Sequence, residues 1–223
     1  MPLARYQGLC IDVADLHMEG EYWATMLGWR LDEHGRLRDE SGAVQVWLNP
    51  VPETQAVKNR IHLDVIAESV QRALDAGATV VDEQPRWTVL ADPEGQEHCV
   101  FVREEPIASR AYELIWHCAE GPQASRAQAE WWAAVVGGTP VHDEEREFSW
   151  VEEIPGCVWE SFDFVGVPEP KTVKNRVHVD VHTDDLDALV AHGASVLRAK
   201  GDRGLGWTVL ADPDGNEFCA FTD

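Results

Sequence analysis

Apolar and polar positions alternate along Gln7–Val13 (QGLCIDV), which predicts a strand with one buried face. Over Met18–Leu27 the spacing lengthens. Tyr22, Trp23, Met26 and Leu27 recur at helical intervals, and Gly28 follows as a C-terminal stop. Trp29–Arg38 and Ala43–Asn49 read as strands around a turn at ESGA, and Arg60–Val65 as a further strand. A helix is predicted over Ser69–Ala76, with Val70, Ala73 and Leu74 on one face and Gly77 beyond its end. Ala78–Asp82, Trp87–Leu90 and His98–Val102 complete the set. The DPEG between the last two has proline and glycine where a β-turn wants them. The order strand, helix, then two or three strands therefore occurs twice within the first 105 residues.

The same pattern then repeats. Val57–Val65 (VKNRIHLDV) and Val173–Val181 (VKNRVHVDV) agree at seven of nine positions. Trp87–Phe101 (WTVLADPEGQEHCVF) and Trp207–Phe221 (WTVLADPDGNEFCAF) agree at eleven of fifteen. Glu21–Gly28 (EYWATMLG) parallels Glu130–Gly137 (EWWAAVVG). Two long matches in the same order mark a tandem duplication. The second copy has extra residues around GDRGLG, and the boundary falls near Arg103–Arg110. The expected domains are 1–105 and 110–223, together making four βαβββ units.

A βαβββ unit doubled within about 110 residues, carrying KNRxHxDV and then DP(E/D)GxExC, resembles the vicinal oxygen chelate superfamily: glyoxalase, bleomycin resistance proteins and extradiol dioxygenases. The segments are most similar to its glyoxalase-like subgroup. The resemblance implies an α+β fold in which paired units form curled mixed sheets with a cleft and outer helices. It also implies a pseudo-dimer within one chain, which is compatible with a monomer or a homodimer. In the metal-using members of this superfamily, His, Glu or Gln side chains on inward strand faces hold a divalent cation that chelates adjacent substrate oxygens.

That pattern carries over incompletely. The strand histidine matches His62 and His178, with Asp64 and Asp180 on the same face by alternation. The final-strand glutamate position holds Cys99 and Cys219, with Glu97 and Glu217 two residues earlier on that face. The first-strand ligand falls at Gly8 in copy one and near Glu113, followed by His117, in copy two. A remaining acidic ligand is met by Gln45 or Asn49 in one copy and Asp163 in the other. The expected metal set is Glu113, His117, His178 and Glu217, with His62 and Glu97 as a weaker second set. His178 and Glu217 are the candidate acid and base of a lyase or isomerase, and Zn, Ni, Mn or Fe the candidate cofactor. The bland alternative makes each His–Asp pair structural. It also gives KNR a fold role, with Asn bonded to backbone and Arg paired with Glu97 or Glu217. The other functional reading is a metal-free binding or resistance protein that stacks its ligand on Trp47, Trp87, Trp159 and Trp207.

Composition narrows the partners. Hydrophobic residues are 44% and charged residues 26% of the 223, a balance typical of globular proteins. The formal charge of −22 is spread over both copies and repels phosphate backbones and anionic bilayers, so no nucleic acid and no membrane is expected, while the small-molecule ligand is what the resemblance implies. Five cysteines, none in a CxxC pair, read as reduced thiols. With no signal-like start, a cytoplasmic location is expected.

Overall fold

A computed structural model describes every residue except Glu105 and Glu120. The chain builds four βαβββ units. The first is β1 (Arg5–Val13), α1 (Leu16–Leu27), β2 (Arg30–Leu31), β3 (Arg36–Arg38) and β4 (Val44–Pro50). The second is β5 (Ile61–Ala67), α2 (Gln71–Asp75), β6 (Thr79–Glu83), β7 (Thr88–Ala91) and β8 (Glu97–Val102). The third is β9 (Ala111–Ala119), α3 (Pro122–Val136), β10 (Thr139–Asp143), β11 (Phe148–Glu152) and β12 (Ser161–Val167). The fourth is β13 (Val177–His182), α4 (Leu186–Ala191), β14 (Ser195–Arg198), β15 (Thr208–Ala211) and β16 (Glu217–Phe221).

Local signals explain the boundaries. Asp15 caps α1 by accepting from the backbone N–H groups of His17 and Met18, so the helix starts two residues before the predicted Met18. Gly28 ends it at φ +70°, a conformation that a side chain disfavours. The predicted Ser69–Ala76 helix contracts to the short α2. The extra GDRGLG residues of copy two form a short 3₁₀ turn at Asp202–Gly204.

The units assemble into two eight-stranded mixed sheets, and each sheet draws one unit from each copy. Sheet A runs β14-β15-β16-β13-β1-β4-β3-β2, joining units one and four; sheet B runs β10-β11-β12-β9-β5-β8-β7-β6, joining units two and three. The joins are antiparallel. Cys10 stands opposite His178 across β1–β13, and Asp64 opposite Glu113 across β5–β9.

Alternation then sorts the side chains. Leu9, Ile11 and Val13 of β1, with Leu63 and Val65 of β5, point into one apolar core shared by both sheets and the helices. Cys10, Asp12, His178 and Asp180 occupy the other face of sheet A. Helices tie the sheets together. Glu19 on α1, which belongs to sheet A, accepts from the backbone N–H of Glu94 in the β7–β8 turn of sheet B. Trp131 and Trp132 on α3, which belongs to sheet B, donate to His192 O and Asp212 Oδ2 of unit four. No helix is long and apolar enough to cross a membrane among the described residues.

Candidate functional site

Each sheet carries the same three side chains on its inward face. In sheet B, His62 Nε2 lies 3.2 Å from Asp64 Oδ1 and 3.8 Å from Cys99 Sγ. In sheet A, His178 Nε2 lies 3.4 Å from Asp180 Oδ1 and 3.3 Å from Cys219 Sγ. Each trio can bring one nitrogen, one oxygen and one sulfur within 4.8 Å of one another. The strands dictate this grouping. The His and Asp are two apart on one strand, and the Cys is the parallel neighbour of the Asp across the next.

The surroundings differ between the sheets. Beside the sheet B trio stand Glu113, across from Asp64, and Asp163 on β12, one strand further out. Burial, with the charges of Asp64 and Glu160, pushes the Glu113 carboxyl up to about 7. Burial and the neighbouring Glu113 likewise hold Asp163 well above the carboxylate range, although Ser161 donates to it. At the equivalent places of sheet A stand Gly8, opposite Asp180, and Trp47, opposite Cys10. The Trp47 ring lies over Gly8 so closely that a Cβ there would come within 2.2 Å of it. Cys10 adds a second thiol to the sheet A trio. Burial raises Cys10 itself. Burial alone would lower His178, but Cys10 and Asp180 beside it outweigh that and hold it above its ordinary range.

The structure therefore separates residues that the sequence reading grouped. Glu113 and His117 belong to sheet B with His62, whereas His178 and Glu217 belong to sheet A. The reason is the exchange of units between the copies. Glu217 is occupied by Lys171 Nζ at 2.9 Å and by the backbone N–H of Asn175. Glu97 is occupied by Lys58 at 2.8 Å. His117 packs edge-on against His62, ring centroids 5.0 Å apart. Burial first, then His62, Lys58 and Arg60, lower its imidazole to about 3.

The KNR segments hold the strand entries. Asn59 and Asn175 donate to Gln96 and Asn216 in the DPxG turns. Arg176 pairs with Glu94 at 2.8 Å instead of Glu97 or Glu217. Of the four tryptophans, Trp47 lies over Gly8 beside the sheet A trio. Trp159 is buried and donates to Tyr6 Oη, while Trp87 and Trp207 pack on Phe101 and Phe221. Sequence reasoning placed Asp64 and Asp180 on the face of the histidines but left them out of the expected metal set, and the structure sets them beside the thiols as well. The x-H-x-D alternation was the available signal.

A cavity of about 1020 Å³ opens where the loops 51–60 and 167–176 meet. It is lined by the KNR residues of both copies, by Asp12 and Asn49 of sheet A, and by His117 of sheet B.

Comparison with known proteins follows the fold. Glyoxalase I from Zea mays superposes with a TM-score of 0.66 at 13% identity, covering 97% of this chain and 92% of that one. A putative dioxygenase from Bacillus subtilis gives 0.59 at 13%, covering 100% and 86%. The cppA protein of Streptococcus pneumoniae gives 0.52 at 12%, covering 98% and 99%. At such identities these likenesses show the fold. A search of curated proteins found no match. The family model described as glyoxalase-like domain matches residues 8–101 and again 119–221. Matched twice over nearly its whole length, the chain belongs to the glyoxalase-like domain family, within the vicinal oxygen chelate superfamily.

Proposed function

We propose that the sheet B trio is the working site of a metal-assisted lyase or isomerase acting on a small molecule. The observation that supports this most is the trio itself. For a tetrahedral ion with metal–sulfur bonds near 2.3 Å and metal–nitrogen or oxygen bonds near 2.05 Å, adjacent ligands stand about 3.6 Å (S to N) and about 3.3 Å (N to O) apart. The sheet B separations of 3.8 and 3.2 Å match these edges. Asp64 Oδ1 is also buried and, among the described residues, has no aligned hydrogen-bond partner, an uncommon state that a cation would relieve.

His62, Asp64 and Cys99 would hold the ion, leaving an open position. A bound cation would act as a Lewis acid toward substrate oxygens. A thiolate beside an imidazole favours zinc or cobalt over magnesium or manganese. Burial raises the Cys99 thiol, so loading would release its proton. Glu113 stands across the strand pair from Asp64 with no cation paired to it among the described residues, and is the group placed to take a proton from the substrate. Asp163, raised well above the carboxylate range by burial and by Glu113, is placed to return one. Sheet A offers the same trio. The Trp47 ring occupies the space that the two carboxylates line in sheet B, so sheet A would hold an ion without admitting a substrate.

Cobalt(II) titration tests the reading, because cobalt bound to thiolate absorbs in the near ultraviolet. The band is expected to appear in the wild type, to weaken in Cys99→Ser and to weaken further when Cys219→Ser is added. No band at all, with thermal stability indifferent to cobalt and zinc, would overturn the assignment.

A further inference from the structure

The 1020 Å³ cavity is lined by the KNR segments of both copies, yet its two ends differ in charge. Asp12 and His117 occupy equivalent places. The backbone N–H of Asp12 donates to Arg176 O, and that of His117 donates to Arg60 O. At the Asp12 end both cations have a carboxylate partner. Lys174 pairs with the buried Asp12 and also donates to Asn175 O. Arg176 pairs with Glu94 and gives a further N–H to Glu53 O.

At the His117 end the carboxylate is replaced by an imidazole. Arg60 spends one N–H on Glu169 O and has no carboxylate within 4.0 Å among the described residues. Lys58 meets Glu97 alone, and its side chain is 55% exposed, which leaves donors free toward the cavity. Lys58 and Arg60 face Glu97 and the lining Glu169 here, whereas Lys174 and Arg176 face Asp12, Glu94 and the lining Glu53 at the other end, so the His117 end is the less negative of the two and holds the one guanidinium without a carboxylate partner. Between the ends, Val51, Val57, Val167, Val173 and Pro170 supply apolar wall.

We propose that the cavity binds an organic anion. Its carboxylate or other oxyanion head is held by Lys58, Arg60 and His117, and its hydrocarbon body lies against the valines. The charged head then sits beside the sheet B trio, since the His117 and His62 rings touch. That the bound anion is the substrate rests on the proposed function; that an anion binds does not.

Calorimetric titration of the metal-free, full-length protein with 2-naphthoate tests this, with 2-naphthamide and 2-naphthylmethylammonium as isosteres of other charge. One naphthoate per chain is expected, with the amide at least about tenfold weaker and the ammonium weaker still, since a charge-assisted pair is worth about that much. Lys58→Met, at an exposed position, should weaken naphthoate about tenfold and leave the amide unchanged. Lys58→Arg should restore the affinity. Equal affinity for all three probes, naphthoate binding indifferent to Lys58→Met, or no binding at concentrations on the order of 1 mM would overturn the proposal. Cobalt titration of the same samples reads the trio alone, so failure of the cavity and failure of the metal centre are separately visible.

Discussion

Glu19 has no solvent exposure at all. One carboxyl oxygen accepts from the backbone N–H of Glu94 at 3.0 Å, and the carboxyl also meets the buried carboxyl of Asp92. Its neighbour Asp92 is also buried and uses Oδ1 to accept from the N–H groups of Glu94 and Gln96. Burial, then the Asp92 carboxylate, then Glu94 push Glu19 far above the carboxylate range, so the folded protein keeps it protonated at neutral pH. The unfolded chain releases that proton near pH 4.3. The contribution of this site is therefore complete below about pH 4 and declines as pH rises, by about 1.4 kcal/mol per unit, until the folded group titrates.

Between pH 5.5 and 7.5 this amounts to about 3 kcal/mol. Copy two carries an internal precedent, for the matching helix position is Gln128, also buried. Glu19→Gln keeps the shape and cannot ionise. Urea denaturation of both proteins at pH 5.5, 6.5 and 7.5 should show the variant gaining about 2–3 kcal/mol relative to the wild type across that range. Titrating groups that do not touch Glu19 are common to both proteins and largely cancel in the difference; Asp92, which meets Glu19 and is itself pushed up to about 6, does not, so the comparison reads the Glu19–Asp92 pair. A stability difference that stays constant within about 0.5 kcal/mol would mean that Glu19 carries no excess proton, and the reasoning would fail.

Gly8→Ala should cost about 1–3 kcal/mol, because the new Cβ meets the Trp47 ring at 2.2 Å and Gln45 O at 3.0 Å; the double variant Gly8→Ala/Trp47→Ala should recover part of the loss in thermal melts. Arg176→Met should cost about 3 kcal/mol by leaving the buried Glu94 without its cation, whereas Lys58→Met, whose pair is half exposed, should cost under about 1 kcal/mol. Denaturation midpoints of the two variants, measured side by side, check that ranking.

Much of the fold is legible in the residues because its signals are local. Asp15, Gly28 and the DPxG turns act within a few positions of themselves, and the period-two runs assign one face of each strand to the core. The trios are half legible for the same reason: x-H-x-D puts both side chains on one face without any tertiary information. Adding Cys99 or Cys219 requires knowing that β8 and β16 lie parallel to β5 and β13. Glu97 and Glu217 show where alternation falls short. They share a face with the cysteines but are spent on Lys58 and Lys171, partners that lie in loops.

The sequence alone determined the repeat, the four units, their strand faces and the acidic charge, all properties that composition, local pattern or comparison of one stretch with another supplies without knowing which strands meet. Tertiary structure alone decided which units pair. Each unit offers its first strand, β1, β5, β9 or β13, as a pairing edge, so the pattern suits pairing within a copy as well as pairing between copies. The choice sets the chemistry, because pairing unit two with unit three puts Glu113 and Asp163 beside His62, and pairing unit one with unit four puts Gly8 and Trp47 beside His178. Backbone hydrogen bonds between strands are blind to that difference. It is settled by side chains far apart in sequence that meet only when the sheets close.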